Sequence, residues 1–207
     1  MKLGMSGSEA RARAVELLDH VGIPAAKERL RSYPHELSGG MRQRVMIAIA
    51  IACRPRLLLA DEPTTALDVT IQDQILALLA DLQDEFGMAM ILVSHDLGVV
   101  AQNCDSVAVM YAGHVVEDAP TAELFRSPSH PYTVGLLHAI PSTREPGTRR
   151  RLEQIGGQPP DLARLPEGCP FRPRCPLTRD ACKDVSMELE QAGPLHGTAC
   201  PFFEEVR

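Results

Sequence analysis

The sequence predicts an α/β layered fold with a mainly parallel sheet, followed by a small extension rich in proline and cysteine. Three observations carry this. Short apolar runs at 56–61 and 88–94 alternate with amphipathic helical patterns, as in strands joined by crossover helices. Within them 57–60 and 89–93 are apolar throughout, as expected of strands covered on two faces. Beyond Pro120 the composition changes, because most of the 17 prolines lie there and four of the six cysteines follow residue 168. Long regular elements are not expected in that part.

The elements follow in order. Ser8 and Glu9 open an amphipathic helix with Val15, Leu17, Leu18 and Val21 on one side and Gly22 as its stop. A second short helix follows Pro24 and ends at the Tyr33-Pro34 break. Over 39–52 a helix begins polar and becomes wholly apolar, so it enters the core. The stretch 56–61 is a buried strand ending in an acid, 69–86 a long amphipathic helix, and 88–94 a second buried strand. Asp96 caps a helix to about Asn103, and strands at 107–111 and 114–117 meet at a hairpin turn, Ala112-Gly113. The domain boundaries expected are a helical subdomain at 1–52, a core part at 53–141, a linker at 142–158 and the extension at 159–207.

Composition excludes several classes of function. A chain of 207 residues that is 44% hydrophobic can bury a substantial core. Its longest apolar run, 45–53, is about half the roughly 20 residues needed to cross a bilayer, and Arg54 ends it. The start passes directly into a charged helical pattern without the features of a secretory signal, so a cytoplasmic location is expected, with thiols kept reduced. A net charge of −6 argues against a nucleic-acid partner. The dense basic run Arg149-Arg150-Arg151 falls in the linker and reads as a solvated segment.

The chemistry concentrates in three stretches. LLLADEPTTALD (57–68) delivers Asp61 and Glu62 at the C-terminal end of a buried strand, where α/β sheets bind ligands. In phosphoryl-transfer sites one such acid holds Mg²⁺ while a neighbouring group orients the attacking water; a strand ending in a solvated turn would also put acids there. LSGGMRQR (37–44) sets Ser38, Gly39 and Gly40 at the start of a helix, a geometry suited to an anion or simply to an N-cap. The second strand ends in Ser94-His95-Asp96, which places an imidazole at the same sheet edge as Glu62.

Together, LSGG, LLLADEPTTALD and LVSHD resemble the ATPase cassette of ABC transporters, and the resemblance extends over nearly the whole chain. It implies the C-terminal part of a P-loop ABC ATPase cassette that uses ATP and Mg²⁺. Ser38, Gly39 and Gly40, with Gln43 of the same motif, correspond to the signature that contacts the γ-phosphate. Asp61 corresponds to the Walker B magnesium acid, Glu62 to the general base and His95 to the switch histidine. Ala66-Leu67-Asp68 looks like the D-loop that couples the two sites of a dimer. Because such cassettes pair head to tail, the signature would serve a partner's nucleotide, whereas Asp61, Glu62 and His95 would serve the chain's own.

The sequence also departs from the family pattern. No G-x-x-x-x-G-K-[ST] occurs in it, so the loop that cradles phosphates is missing, as are the adenine-stacking aromatic and the glutamine loop. The reading that follows is a chain lacking its N-terminal half, or one whose start lies at an internal methionine. Its strands should then lack sheet neighbours and expose core surface. Isolated, it is expected neither to bind ATP tightly nor to hydrolyse it.

Cys169, Cys175, Cys182 and Cys200 are spaced C-x5-C-x6-C-x17-C in a segment poor in core-forming residues, where a metal could act as a staple. The spacing lacks the C-x2-C pairs usual in structural zinc sites, an iron–sulfur cluster tolerates varied spacing, and four unligated thiols remain the third reading. GCPFRPRCPLTRDAC, HGTAC and HPYTVGLLHAIP (130–141) resemble the C-terminal region of oligopeptide and dipeptide permease ATPases, with nickel importers close by. That resemblance implies a [4Fe-4S] cluster on these four cysteines. It also implies the partners: a second ABC ATPase subunit, two transmembrane permease subunits and, indirectly, a peptide-binding protein, with the chain peripheral on the inner face of the cell membrane. Cys53 and Cys104 are expected to be core thiols. Two other readings stay open: a non-catalytic remnant or metal-binding regulatory module paired with an intact cassette, and a soluble ABC protein of translation or repair.

Overall fold

The computed structural model describes residues 4–140 and 154–206. Most of the expected linker, including Arg149-Arg150-Arg151, lies outside the described residues. The chain divides into two compact units, Met1–His95 and Asp96–Arg207.

In the first unit, α1 (Gly7–His20) is capped two residues earlier than the Ser8 reading. Ser6 is the cap: its Oγ accepts from Glu9 N, and Glu9 Oε2 accepts from Ser6 N at 2.7 Å. This reciprocal box satisfies two helix-end donors at once. After α2 (Ala26–Arg29), α3 (Gly39–Ile51) begins at the Ser38 cap and carries Ile47, Ala48 and Ile51 into the core. Arg44 of α3 donates to Val21 O at 2.6 Å, closing the C-terminal end of α1. Strands β1 (Leu57–Asp61) and β2 (Ala89–Val93) pair in parallel, with Asp61 opposite Val93. They are joined by α4 (Val69–Phe86), whose Ile75, Leu76, Leu79 and Leu82 are buried. Asp68 caps α4 and Gly87, in the left-handed region, ends it.

One face of this two-stranded sheet packs inward through Leu58 and Ala60. The other presents Leu57, Leu59, Ile91 and Val93, each half-exposed or more. Among the described residues the two faces expected to be covered are thus one covered and one open.

The second unit holds α5 (Leu97–Asn103), β3 (Ser106–Tyr111), β4 (His114–Pro120), α6 (Thr121–Arg126), α7 (Pro131–His138), β5 (Glu190–Gly193) and β6 (His196–Thr198). Its four-stranded sheet runs β3-β4-β6-β5, and every pairing is antiparallel. The expectation of a mainly parallel sheet is therefore corrected, since the only parallel pair among the described residues is β1–β2. The reason is local: β3 and β4 are joined by Ala112 (φ 50°) and Gly113 (φ 83°), a two-residue turn that can only return the chain antiparallel. Residues after 154 add β5 and β6 to β4, although EQAG and HGT carry little intrinsic strand preference.

Tyr111, Tyr132 and Phe171 meet in this second core, with ring centroids 4.6, 5.2 and 5.3 Å apart. Beneath them lies a buried polar weld. Glu117, fully buried, accepts from the backbone N–H groups of Ser129 (2.6 Å) and His130 (3.0 Å) and pairs with His196 Nε2 at 2.7 Å. One carboxylate thus joins β4, the entry to α7 and β6.

Candidate functional site

Both acids of the 57–68 stretch leave the parallel pair at its C-terminal edge. Asp61 ends β1 and is exposed, and its carboxylate has no hydrogen-bond partner among the described residues. Glu62 sits at φ +45°, a left-handed backbone unusual for a residue with a side chain, while its N–H still bonds Val93 O at 2.9 Å. This backbone turns the Glu62 carboxylate away from the strand. Oε1 accepts from His95 Nδ1 at 3.0 Å, and Oε2 accepts from Thr65 Oγ1 at 2.8 Å. These donors hold the Glu62 carboxyl below its usual range, the His95 bond contributing most. The His95 side chain is 77% exposed, so its ring lies within reach of a ligand from solvent.

Ala66, at φ +62°, closes the turn that follows, and Asp68 Oδ1 accepts from Ile71 N at 3.0 Å as the cap of α4. The second group of candidates lies at the start of α3. Ser38 Oγ accepts from Met41 N at 3.3 Å, so the cap reading of this serine holds. Gly39 and Gly40 open the helix, and Gln43 lies half-buried one turn along it. A Cβ on Gly39 would meet Leu67 Cδ2 at 3.4 Å, and one on Gly40 would meet Ile71 Cγ2 at 2.8 Å.

The structure thus brings Glu62 and His95 into contact and seats Gly39 and Gly40 against the segment at 66–71. Among the described residues it makes no hydrogen bond or ion pair between Ser38 or Gln43 and Glu62 or His95. Thr65 was not singled out in the sequence; its place three residues after Glu62, in a turn, was the available signal.

In the second unit the four tail cysteines line one small cavity, together with His130, Phe171 and Phe202. Gly168 (φ +69°) makes this possible, because a Cβ there would lie 2.4 Å from the carbonyl oxygens of Cys182 and Lys183, and Cys169 N then bonds Cys182 O at 3.0 Å. Nearby backbone N–H groups favour the thiolates, those of Phe171 and Arg172 at Cys169, Leu177 at Cys175 and Phe202 at Cys200, but burial outweighs them. Burial pushes the Cys169 and Cys175 thiols up and that of Cys200 up to about 11. Among the described residues no three His, Cys, Asp or Glu are gathered tightly enough for a single metal ion. Cys53 is exposed, which corrects the expectation that it is a core thiol, whereas Cys104 is half-buried and packs against the second core. Cys53 lies two residues beyond Ile51, the buried last residue of α3, in the turn that leads to β1. Among the described residues no helix is long and apolar enough to cross a membrane.

Two family descriptions match the chain. Residues 2–65 match "ABC transporter", and residues 116–182 match "Oligopeptide/dipeptide transporter, C-terminal region". The chain is 52% identical over 197 residues to the oligopeptide transport ATP-binding protein OppD of Salmonella typhimurium, covering 95% of this chain and 58% of that protein. It is 52% identical over 196 residues to OppD of Escherichia coli, covering 95% and 57%. With OppD of Haemophilus influenzae it shares 54% identity over 180 residues, covering 87% and 55%. The chain therefore spans a little over half the length of these relatives.

Proposed function

The chain belongs to the ABC transporter family, and from that premise we propose that it supplies part of the ATP-binding subunit of an oligopeptide or dipeptide importer, coupling ATP hydrolysis to peptide uptake. The observation that carries the reading is the Glu62–His95 contact at the C-terminal edge of the parallel strands. Glu62, fixed by His95 and Thr65, orients the water that attacks the terminal phosphate and accepts its proton. His95 contacts the same phosphate through its exposed ring. Asp61, a carboxylate with no hydrogen-bond partner among the described residues, fits Mg²⁺, which would neutralise phosphate charge there. Ser38, Gly39, Gly40 and Gln43 face a second nucleotide, held by a partner ATPase subunit, and Asp68 lies between the two groups.

The partners follow from this reading: a second ATPase subunit, two membrane-spanning permease subunits and a peptide-binding protein that delivers cargo, with this subunit peripheral on the cytoplasmic face of the membrane. No phosphate-cradling G-x-x-x-x-G-K-[ST] occurs within these 207 residues. A polypeptide of these residues alone is expected to show no magnesium-dependent ATPase activity. In the assembled transporter, Glu62→Gln should abolish ATP turnover and peptide uptake while leaving assembly intact. Turnover unchanged by that substitution would overturn the reading.

A second reading concerns the tail: the four cysteines hold a [4Fe-4S] cluster. It is supported by their convergence on one cavity. Such a group would tie the tail together whether or not this chain hydrolyses ATP.

A further inference from the structure

We propose that His130 is the hydrogen-bond donor of the cysteine cavity, its Nε2–H stabilising sulfur in the thiolate form once a thiolate-bound metal group is held there. The inference rests on the second reading above, in which Cys169, Cys175, Cys182 and Cys200 are ligands, and it adds a residue which that reading does not use. His130 stands just before α7 and is 1% exposed, and three contacts fix it. Its backbone N–H bonds Glu117 Oε2 at 3.0 Å, the Tyr132 N–H bonds its Nδ1 at 3.1 Å, and the Phe171 ring lies beside it with centroids 6.0 Å apart. Backbone and ring are thus both held.

The Tyr132 bond decides where the ring carries its proton. Nδ1 receives a donated hydrogen and so has none of its own, which leaves the proton of the neutral imidazole on Nε2. Nε2 meets no hydrogen-bond acceptor among the described residues. The ring lines the same cavity as the four cysteines, whereas Tyr132, on the Nδ1 side, does not, so the cavity lies towards the other edge of the ring. A buried N–H left without an acceptor is costly. Of the other side chains that line the cavity, only the sulfurs can accept; the rest are apolar or, at Arg172, donors alone. A hydrogen bond to an ionised partner is roughly twice as strong as a neutral one, so this donor gains most when the cysteines are ligated as thiolates. Capping α7 uses Nδ1 only, and asparagine would cap as well. The second nitrogen is what histidine adds, and donors of this kind tune metal affinity and, in iron–sulfur sites, reduction potential.

His130→Asn separates the two roles, because asparagine keeps the cap but is too short to place a donor where Nε2 lies. The 207-residue chain is loaded anaerobically with ferrous iron and sulfide. Since the donor favours the more negative, reduced form, His130→Asn should lower the midpoint potential by about 59 mV, a tenfold change in the reduced-to-oxidised ratio for one electron. If the chain holds zinc and no iron, the cluster reading alone fails, and His130→Asn should then weaken zinc roughly tenfold in competition with a chelator. With either group bound, a variant that matches the parent overturns the donor role and leaves the ligand reading standing. A chain that binds neither iron–sulfur nor zinc overturns both. The parent gives a readout that needs no substitution: ring ¹⁵N spectra of the metal-free chain should show Nε2 protonated and Nδ1 bare. A proton on Nδ1 would overturn the proposal even if His130→Asn failed to fold.

Discussion

His95 Nδ1 donates to Glu62 Oε1 across 33 positions of chain, while Thr65 Oγ1 occupies Oε2 from only three residues away. Two donors on one carboxylate favour its charged form, so Glu62 titrates below the usual carboxylate range. The sign follows: any stability this pairing adds is present above the unfolded carboxylate pKa and is lost as pH falls through the lowered folded value. His95→Ala should raise the Glu62 pKa back towards 4.5, and Thr65→Val should raise it less, His95 being the larger cause. Carbon-detected NMR titration of the Glu62 carboxyl reads this. A pKa unmoved by His95→Ala would mean that the contact is not populated in solution.

Much of the first unit was legible from sequence because its patterns are strong. The helix at 69–86 is observed as Val69–Phe86, between an Asp cap and a left-handed Gly. Asp61, Glu62 and His95 share an edge because two apolar runs, each ending in polar residues, pair in parallel. Sequence gave no access to the partners formed at long range. Nothing local marks Glu117 as a weld, since a carboxylate in a strand usually faces solvent; its burial depends on His196, 79 positions away. The hairpin of β3 and β4 was legible in Ala112-Gly113, but the other half of the antiparallel sheet was not, because it comes from residues beyond 189 whose strand preference is weak. Gly40 was read for its approach to an anion, whereas its contact with Ile71 is visible only once α3 and α4 are placed.

His130 makes the second unit sensitive to acid. Burial drives its pKa from 6.5 down to about 4, and its Nδ1 accepts from Tyr132 N at the start of α7. This is a depressed histidine, so the neutral form is the folded one. Below about pH 6.5 the unfolded chain takes up a proton that the folded chain refuses until about pH 4, so stability falls as the pH is lowered through that window. The full loss is about 3 kcal/mol, at about 1.36 kcal/mol per pKa unit. His130→Asn keeps a capping acceptor without the titration. It should flatten the pH dependence of urea unfolding between pH 6.5 and 4, followed by the fluorescence of Tyr111 and Tyr132. An unchanged slope would mean that other groups carry the acid sensitivity.

The tail cysteines yield a prediction about protons as well as metal. Cys169, Cys175 and Cys200 have raised pKa values, so without a metal these thiols are neutral near pH 7. Ligation requires thiolates; loading should therefore release protons and strengthen as the pH rises. Anaerobic reconstitution with ferrous iron and sulfide should give a brown protein, with proton release measurable in weakly buffered solution. Cys182→Ser should prevent it, whereas Cys53→Ser and Cys104→Ser, which alter thiols outside the cavity, should not. Stoichiometric zinc with no iron in the loaded protein would sink the cluster reading.

The open face of the β1–β2 sheet makes the last prediction. Leu57 (49% exposed), Leu59 (67%), Ile91 (51%) and Val93 (50%) lie on one side of a two-stranded sheet whose outer edges are unpaired among the described residues. Contiguous apolar surface beside free strand edges invites association with other chains. The 207-residue chain should therefore bind a hydrophobic dye such as ANS while folded and should self-associate as its concentration rises. Leu59→Lys should reduce both effects. Because Leu59 is exposed, its removal should cost the fold little, within about 0.5 kcal/mol of the parent in urea unfolding. A loss well beyond that would show that Leu59 is packed in solution, and the face would then not be open. If the loss is small but dye binding persists, the exposed apolar surface lies elsewhere on the molecule.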